Sequence, residues 1–170
     1  MKTNRKYVAV TVLGIASIGI AALGNMPAKI LYNPSPSAPI GFYAIDSRRN
    51  FSMGGFVAAQ LPDDAEKLAL ERGYLPKNTP ILKTISAVHG DEICIQSNSV
   101  FINSEPVALI QNTDSVGRLM PVKTECYELK AREYFLLSTA IENSFDSRYI
   151  GPVVEDNILG VATPLLIFSK

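Results

Sequence analysis

The sequence predicts a mainly β protein: one antiparallel β domain with a small helical insertion, preceded by one N-terminal transmembrane helix. Three observations carry that prediction. An uncharged apolar run from Tyr7 to Gly24 follows a basic tip of Lys2, Arg5 and Lys6. Beyond Pro39 the chain breaks into short apolar runs punctuated by turn residues, the pattern of strands and their connections. Only Asp63 to Arg72 places good helix formers between capping residues and a glycine stop.

The N-terminal run comes first. At 1.5 Å per residue it would reach roughly 27 Å as a helix, enough for a hydrocarbon core. Positive charge is heavier before the run than after it, where Lys29 stands alone. The positive-inside rule therefore keeps the N-terminus in the cytoplasm and exports the rest of the chain. Residues 1–25 read as cytoplasmic tip and anchor, and residues 26–170 as the exported domain. A cleaved secretory signal is the alternative, with Ala22-Leu23-Gly24 as a small-x-small cleavage site. The run is longer than the usual signal core, which favours the anchor.

Pro34, Pro36 and Pro39 then exclude a helix from Asn33 to Pro39, because each removes a donor and extends the residue before it. Gly41 to Ile45 and Phe56 to Gln60 read as short strands. In the helix after them, Asp63 or Asp64 can cap, Ala65 to Leu70 propagates, and Gly73 stops. Ile81–Val88, Glu92–Gln96, Val100–Ile102, Tyr134–Leu137 and Ile158–Ile167 read as further strands, separated by Gly90-Asp91, Ser97-Asn98-Ser99 and Asn103-Ser104.

Composition narrows the chemistry. Lys+Arg and Asp+Glu both number 16, so the chain lacks the basic excess of a nucleic-acid binder. His89 is the only histidine. A metal site of several histidines is impossible, and a histidine-based hydrolase would have to use His89. Cys94 and Cys126 are the only cysteines. In an exported domain they fit one disulfide, the alternative being two unpaired thiols.

A hydrolase built from these residues must take its nucleophile from Ser or Thr. Ser37 lies in a rigid segment beside a strand and close behind the anchor, with Gly41 nearby to admit a substrate backbone. A serine hydroxyl needs a base. Lys83 interrupts the apolar run Ile81 to Val88, so it either points outward or is desolvated, and desolvation would lower its pKa toward neutrality. Ser144-Phe145-Asp146-Ser147-Arg148-Tyr149-Ile150-Gly151-Pro152 is polar, aromatic and turn-like, and comes after the strand ending at Leu137. Each feature also has a purely structural reading: a serine in a proline-rich loop, a lysine on a strand face, and a tight loop closed by Asp146 and Arg148.

Together the three segments resemble the signal peptidase I superfamily (S26 type), most closely its TraF-like branch of conjugative-transfer peptidases. Ser35-Pro36-Ser37-Ala38-Pro39-Ile40-Gly41-Phe42-Tyr43 resembles the nucleophile box. Leu82-Lys83, with Gly90-Asp91-Glu92-Ile93-Cys94, resembles the lysine box. Ser144 to Val153 resembles the final box, trailed by Gly160-Val161-Ala162. The helix ending in Glu71-Arg72-Gly73-Tyr74-Leu75 is similar to an insertion of the TraF-like branch.

The resemblance implies a signal-peptidase-like β domain in the periplasm, anchored by a single pass in the inner membrane. It assigns Ser37 as acylating nucleophile and Lys83 as general base. Ser35 would join the oxyanion hole, Ser144 would orient the lysine, Asp146 would be a required acid, and Arg148 its ion-pair partner. It implies no cofactor, and as substrate an exported prepilin or similar protein, cut or cyclised. His89 departs from the proline usual before Gly-Asp. The cysteines common in the branch's helical insertion are absent, so that disulfide pattern does not transfer. A general signal peptidase and a non-catalytic pilus-assembly protein of the same fold are the alternatives. A self-cleaving repressor would need a DNA-binding module where this chain has an apolar run.

Overall fold

The structure, a computed structural model, describes residues 28–138 and 140–168 together with Tyr7, Val10, Thr11 and Leu13, which are helical. The expected membrane span and the alternative cleavage site at Ala22-Leu23-Gly24 otherwise lie outside the described residues. No helix among the described residues is long and apolar enough to cross a membrane.

The described strands form two antiparallel sheets. In chain order they are β1 (Ala28–Asn33), β2 (Gly41–Asp46), β3 (Phe56–Ala59), β4 (Ile81–Ala87), β5 (Glu92–Gln96), β6 (Ser99–Ile102), β7 (Glu105–Leu109), β8 (Glu125–Glu128), β9 (Glu133–Leu137), β10 (Val153–Val154) and β11 (Ile158–Ile167). The larger sheet runs β1-β2-β11-β3-β4-β9-β10, and the smaller runs β7-β6-β5-β8. Helix α1 (Asp63–Glu71) sits between β3 and β4, and a one-turn helix α2 (Ser147–Ile150) comes after β9.

Side-chain alternation in β3 and β4 builds a core on each face of the larger sheet. Val57, Ile81 and Ile85 pack with Leu136 against Ala65 and Ala69 of α1. Ala58 and Leu82 turn the other way and join Tyr43, Ile45 and Ala162. A third cluster packs Ile93, Ile95 and Val100 of the smaller sheet against Phe135 and Leu137 of β9. Lys83 shares strand parity with Ile81 and Ile85, so β4 aims its amine inward. Cys94 and Cys126 lie directly opposite on β5 and β8 and are disulfide-bonded.

The mainly antiparallel architecture and the insertion agree with the sequence reading, and two details correct it. Neither Asp63 nor Asp64 caps α1. Pro62 holds the N-cap position without a side-chain bond, and Asp63, Asp64 and Glu66 fill the first turn, where their charge suits the helix dipole. Gly41 does not leave room for substrate, because a Cβ there would collide with the Leu166 carbonyl. The glycine admits β11, which pairs Ile167 with Gly41. The turn-like segment after β9 is a single helical turn, Ser147–Ile150, capped by the Asp146 carboxylate accepting from the Arg148 N–H.

Candidate active site

The segment between β1 and β2 is stapled into one conformation by Asn33, the last residue of β1. The Asn33 side-chain amide donates to the carbonyls of Ser35 (2.8 Å), Ala38 (3.1 Å) and Pro39 (3.2 Å), and its oxygen accepts from the Ser35 N–H. The Tyr43 hydroxyl adds a 2.6 Å bond to the Pro39 carbonyl. With three prolines already limiting the backbone, these bonds hold Ser37 at a fixed place. On the far side the Ser138 hydroxyl, at the end of β9, donates to the Ser37 carbonyl at 2.5 Å.

Lys83 reaches Ser37 from β4. Its Nζ lies 2.9 Å from Ser37 Oγ and 2.8 Å from Ser144 Oγ. The lysine is only 4% exposed. That burial pulls its pKa down from 10.5 to about 8; the Asp146 charge opposes the shift and the Arg148 charge assists it. Ser35 Oγ lies 3.0 Å from Ser37 Oγ and accepts from the Ser37 N–H at 3.3 Å. Two donors, the Ser35 hydroxyl and the Ser37 N–H, thus flank the nucleophile, an arrangement suited to an oxyanion.

Asp146 and Arg148 form a buried bidentate pair. Arg148 Nε donates to one carboxylate oxygen at 2.8 Å and a terminal nitrogen donates to the other at 2.8 Å. Asp146 also accepts from the Ser138 N–H at 3.0 Å. Arg148 donates to the carbonyls of Leu109 and Glu142. Asp146 hydrogen-bonds to neither Ser37 nor Lys83. Its contacts are those of a positioning residue: through Ser138 it fixes the Ser37 carbonyl. His89 is remote from this chemistry, with Nδ1 3.0 Å from the Leu129 carbonyl.

The Ser37–Lys83 pair opens into a cleft of about 620 Å³. Leu31 to Asn33 of β1 form one border, and Leu75, Pro80, Ile81 and Phe145 supply much of the apolar lining. All six site residues named from sequence thus gather in one region. Sequence reasoning misses two more. Asn33 precedes a proline, a turn-initiating pair that could mark it. Ser138 ends a strand and carries no distinguishing signal in the sequence.

A conservative change checks the oxyanion geometry. Ser35→Ala should lower the cleavage rate of the purified protein by about 10²–10³-fold, the usual worth of one such donor, without abolishing it. A rate within a few-fold of wild type would remove Ser35 from that role.

Comparisons with known proteins show the family. The sequence profile of the family described as signal peptidase, peptidase S26, matches residues 4–166. The chain is similar to a plasmid transfer protein TraF of Escherichia coli, 30% identical over 95% of this chain and 94% of that one. A probable conjugal transfer protein TraF of Sinorhizobium fredii is 30% identical over 92% and 89%. A conjugal transfer protein TraF of Agrobacterium fabrum is 27% identical over 96% and 98%.

Proposed function

The chain belongs to the signal peptidase family, peptidase S26, and from that premise we propose that it is a membrane-anchored serine endopeptidase with a Ser–Lys mechanism, acting on an exported prepilin-like protein in conjugative transfer. One observation carries the reading: a buried lysine amine bonded at once to Ser37 Oγ and Ser144 Oγ.

Neutral Lys83 accepts the Ser37 proton as Ser37 Oγ attacks the scissile carbonyl. The Ser35 hydroxyl turns from Ser37 Oγ toward the developing oxyanion and shares it with the Ser37 N–H. The protonated lysine then gives its proton to the leaving amine, and an acyl-enzyme remains. Water, with Lys83 again as base, releases a linear product. An amine from the substrate's own N-terminus would release a cyclic one.

The conjugal transfer names of the relatives support the setting. The edge position of β1, whose last residues border the cleft, supports capture of an extended substrate by backbone pairing. Exposed Ile30, Tyr32, Phe42, Leu165, Leu166 and Phe168 lie on β1, β2 and the end of the chain. Three of them touch through their rings, Tyr32 and Phe42 at 5.0 Å and Phe42 and Phe168 at 6.0 Å. This apolar surface borders the nucleophile segment and supports placement of the domain, in the periplasm, against the inner-membrane surface.

The pH profile tests the base. Only neutral Lys83 can act, so kcat/KM should rise with pH, pass its midpoint near 8 and level off above it. About one tenth of the lysine is neutral at pH 7, against roughly 0.04% for an ordinary lysine. Wild type and His89→Ala should give the same curve. A plateau complete by pH 7 and lost in His89→Ala would make His89 the base.

A further inference from the structure

One cluster of polar side chains at the cleft takes no part in the chemistry above. Helix α1 ends in a Schellman turn: the Tyr74 N–H bonds the Ala69 carbonyl at 2.8 Å and the Gly73 N–H bonds Leu70 at 3.1 Å, with Gly73 at φ +69°. That turn fixes the direction of Tyr74. Its hydroxyl donates to Asp114 Oδ2 at 2.6 Å, across to the loop of residues 111–120. Asp114 also accepts from the Val116 N–H, the Arg118 N–H and Arg118 Nε, at 3.0, 2.9 and 2.7 Å.

Arg118 returns the contact. Its guanidinium lies 5.5 Å from the centre of the Tyr74 ring and donates to the Arg72 carbonyl at 3.2 Å. Partial desolvation opposes ionisation of Asp114, but the Tyr74, Arg118 and Val116 donors outweigh it and hold the carboxyl well below the usual carboxylate range. The clasp is therefore charged under any working condition.

A loop that merely needed its own turn closed would use the Asp114 bonds to Val116 and Arg118 alone. The bonds from Tyr74 and to Arg72 do something else. They join two chain segments that both line the cleft, Tyr74 to Pro76 and Thr113 to Ser115. The Tyr74 ring also packs at 5.3 Å on Phe145, the neighbour of Ser144.

We propose that the Tyr74–Asp114–Arg118 clasp is a positioning and specificity device: it holds the helical insertion against the 111–120 loop, closes that wall of the cleft around an apolar part of the substrate, and seats Phe145 so that Ser144 stays on Lys83. The inference rests on reading Ser37 and Lys83 as the reacting pair. With the wall closed, water is kept from the lysine. With it open, the cleft loses its grip and the lysine is hydrated. The charged groups acting on Lys83 itself, Asp146 and Arg148, are untouched by the clasp, so a change in its titration reports hydration.

Tyr74→Phe keeps the ring on Phe145 and removes only the hydroxyl, and Asp114→Asn removes the charge. Both are compared with wild type as full-length protein in detergent, on an exported preprotein with an Ala-x-Ala site after an apolar segment. Each should raise KM by about fivefold or more, the size of one net hydrogen bond, with kcat at alkaline plateau changed far less. The Lys83 titration, followed by carbon NMR at Cε without any turnover, should shift upward by about half a unit or more. Unchanged KM and an unchanged Lys83 titration in both variants, with any loss confined to thermal stability, would reduce the clasp to a structural staple. Continued cleavage by Ser37→Ala is a separate result, and would overturn the Ser–Lys reading instead.

Discussion

Ser37→Ala and Lys83→Ala are each expected to slow substrate cleavage by on the order of 10⁴-fold or more, the loss seen when a nucleophile or its base is removed from a serine peptidase. The two residues act as a unit, so the double variant should be no worse than either alone. The geometry says why. Among the described residues, Ser37 Oγ has one nitrogen base within reach, Lys83 Nζ at 2.9 Å, and the single histidine is bonded elsewhere. Ser37→Ala removes little packing, and its Lys83 keeps Ser144 as partner. Co-expression with a candidate prepilin and a mobility shift on a gel measures the loss, and circular dichroism confirms the fold. Processing at the wild-type rate in either single variant is incompatible with the mechanism.

Asp146→Ala is expected to act through stability first. It leaves the Arg148 guanidinium, 2% exposed, without its counter-charge, and stranding one member of a buried pair costs about 3–5 kcal/mol. For a chain of this size that lowers the melting temperature by roughly 10 °C or more. The Ser138 N–H loses its acceptor as well. Arg148→Ala should do similar damage, because Asp146 would then be the buried charge without a partner. The double replacement Asp146→Ala/Arg148→Ala should cost less than the two singles combined. Thermal unfolding of the three variants provides the cycle. A strictly additive double variant would mean that the pair contributes no coupling.

Long-range chemistry is more legible in this sequence than local structure. Ser37, Lys83 and Ser144 stand far apart along the chain; Ser37 and Lys83 are candidates from their own segments, Ser144 takes its role only from the resemblance of the three segments together, and the fold gathers all three within hydrogen-bond reach. Lys83 betrays itself because a charge in an apolar strand has few reasons to be there. Strands with a clean apolar pattern are legible nearly to the residue, as with β5 and β11.

The strands that escape the sequence reading share a physical cause. Half of β8 is Glu, and β7 carries Glu105 and Pro106 on an edge where a missing N–H costs nothing. Their places come from pairing with β5 and β6, which no local pattern encodes. β1 begins three residues past the apolar run and borrows its strand character from β2. The Asp146 cap reads as a turn because a one-turn helix and an Asx turn use the same side-chain bond.

The burial of Lys83 has a thermodynamic consequence for the whole domain. An unfolded chain holds that proton up to about 10.5, the folded one only to about 8. Between those values the unfolded state binds more protons, so stability climbs with pH across that window. Below it both states are protonated and the full penalty stands, about 3 kcal/mol at neutral pH. A strand that had only to be stable would carry an apolar residue at 83. Selection of variants by heat resistance alone would therefore drift toward proteins that melt later and cut nothing.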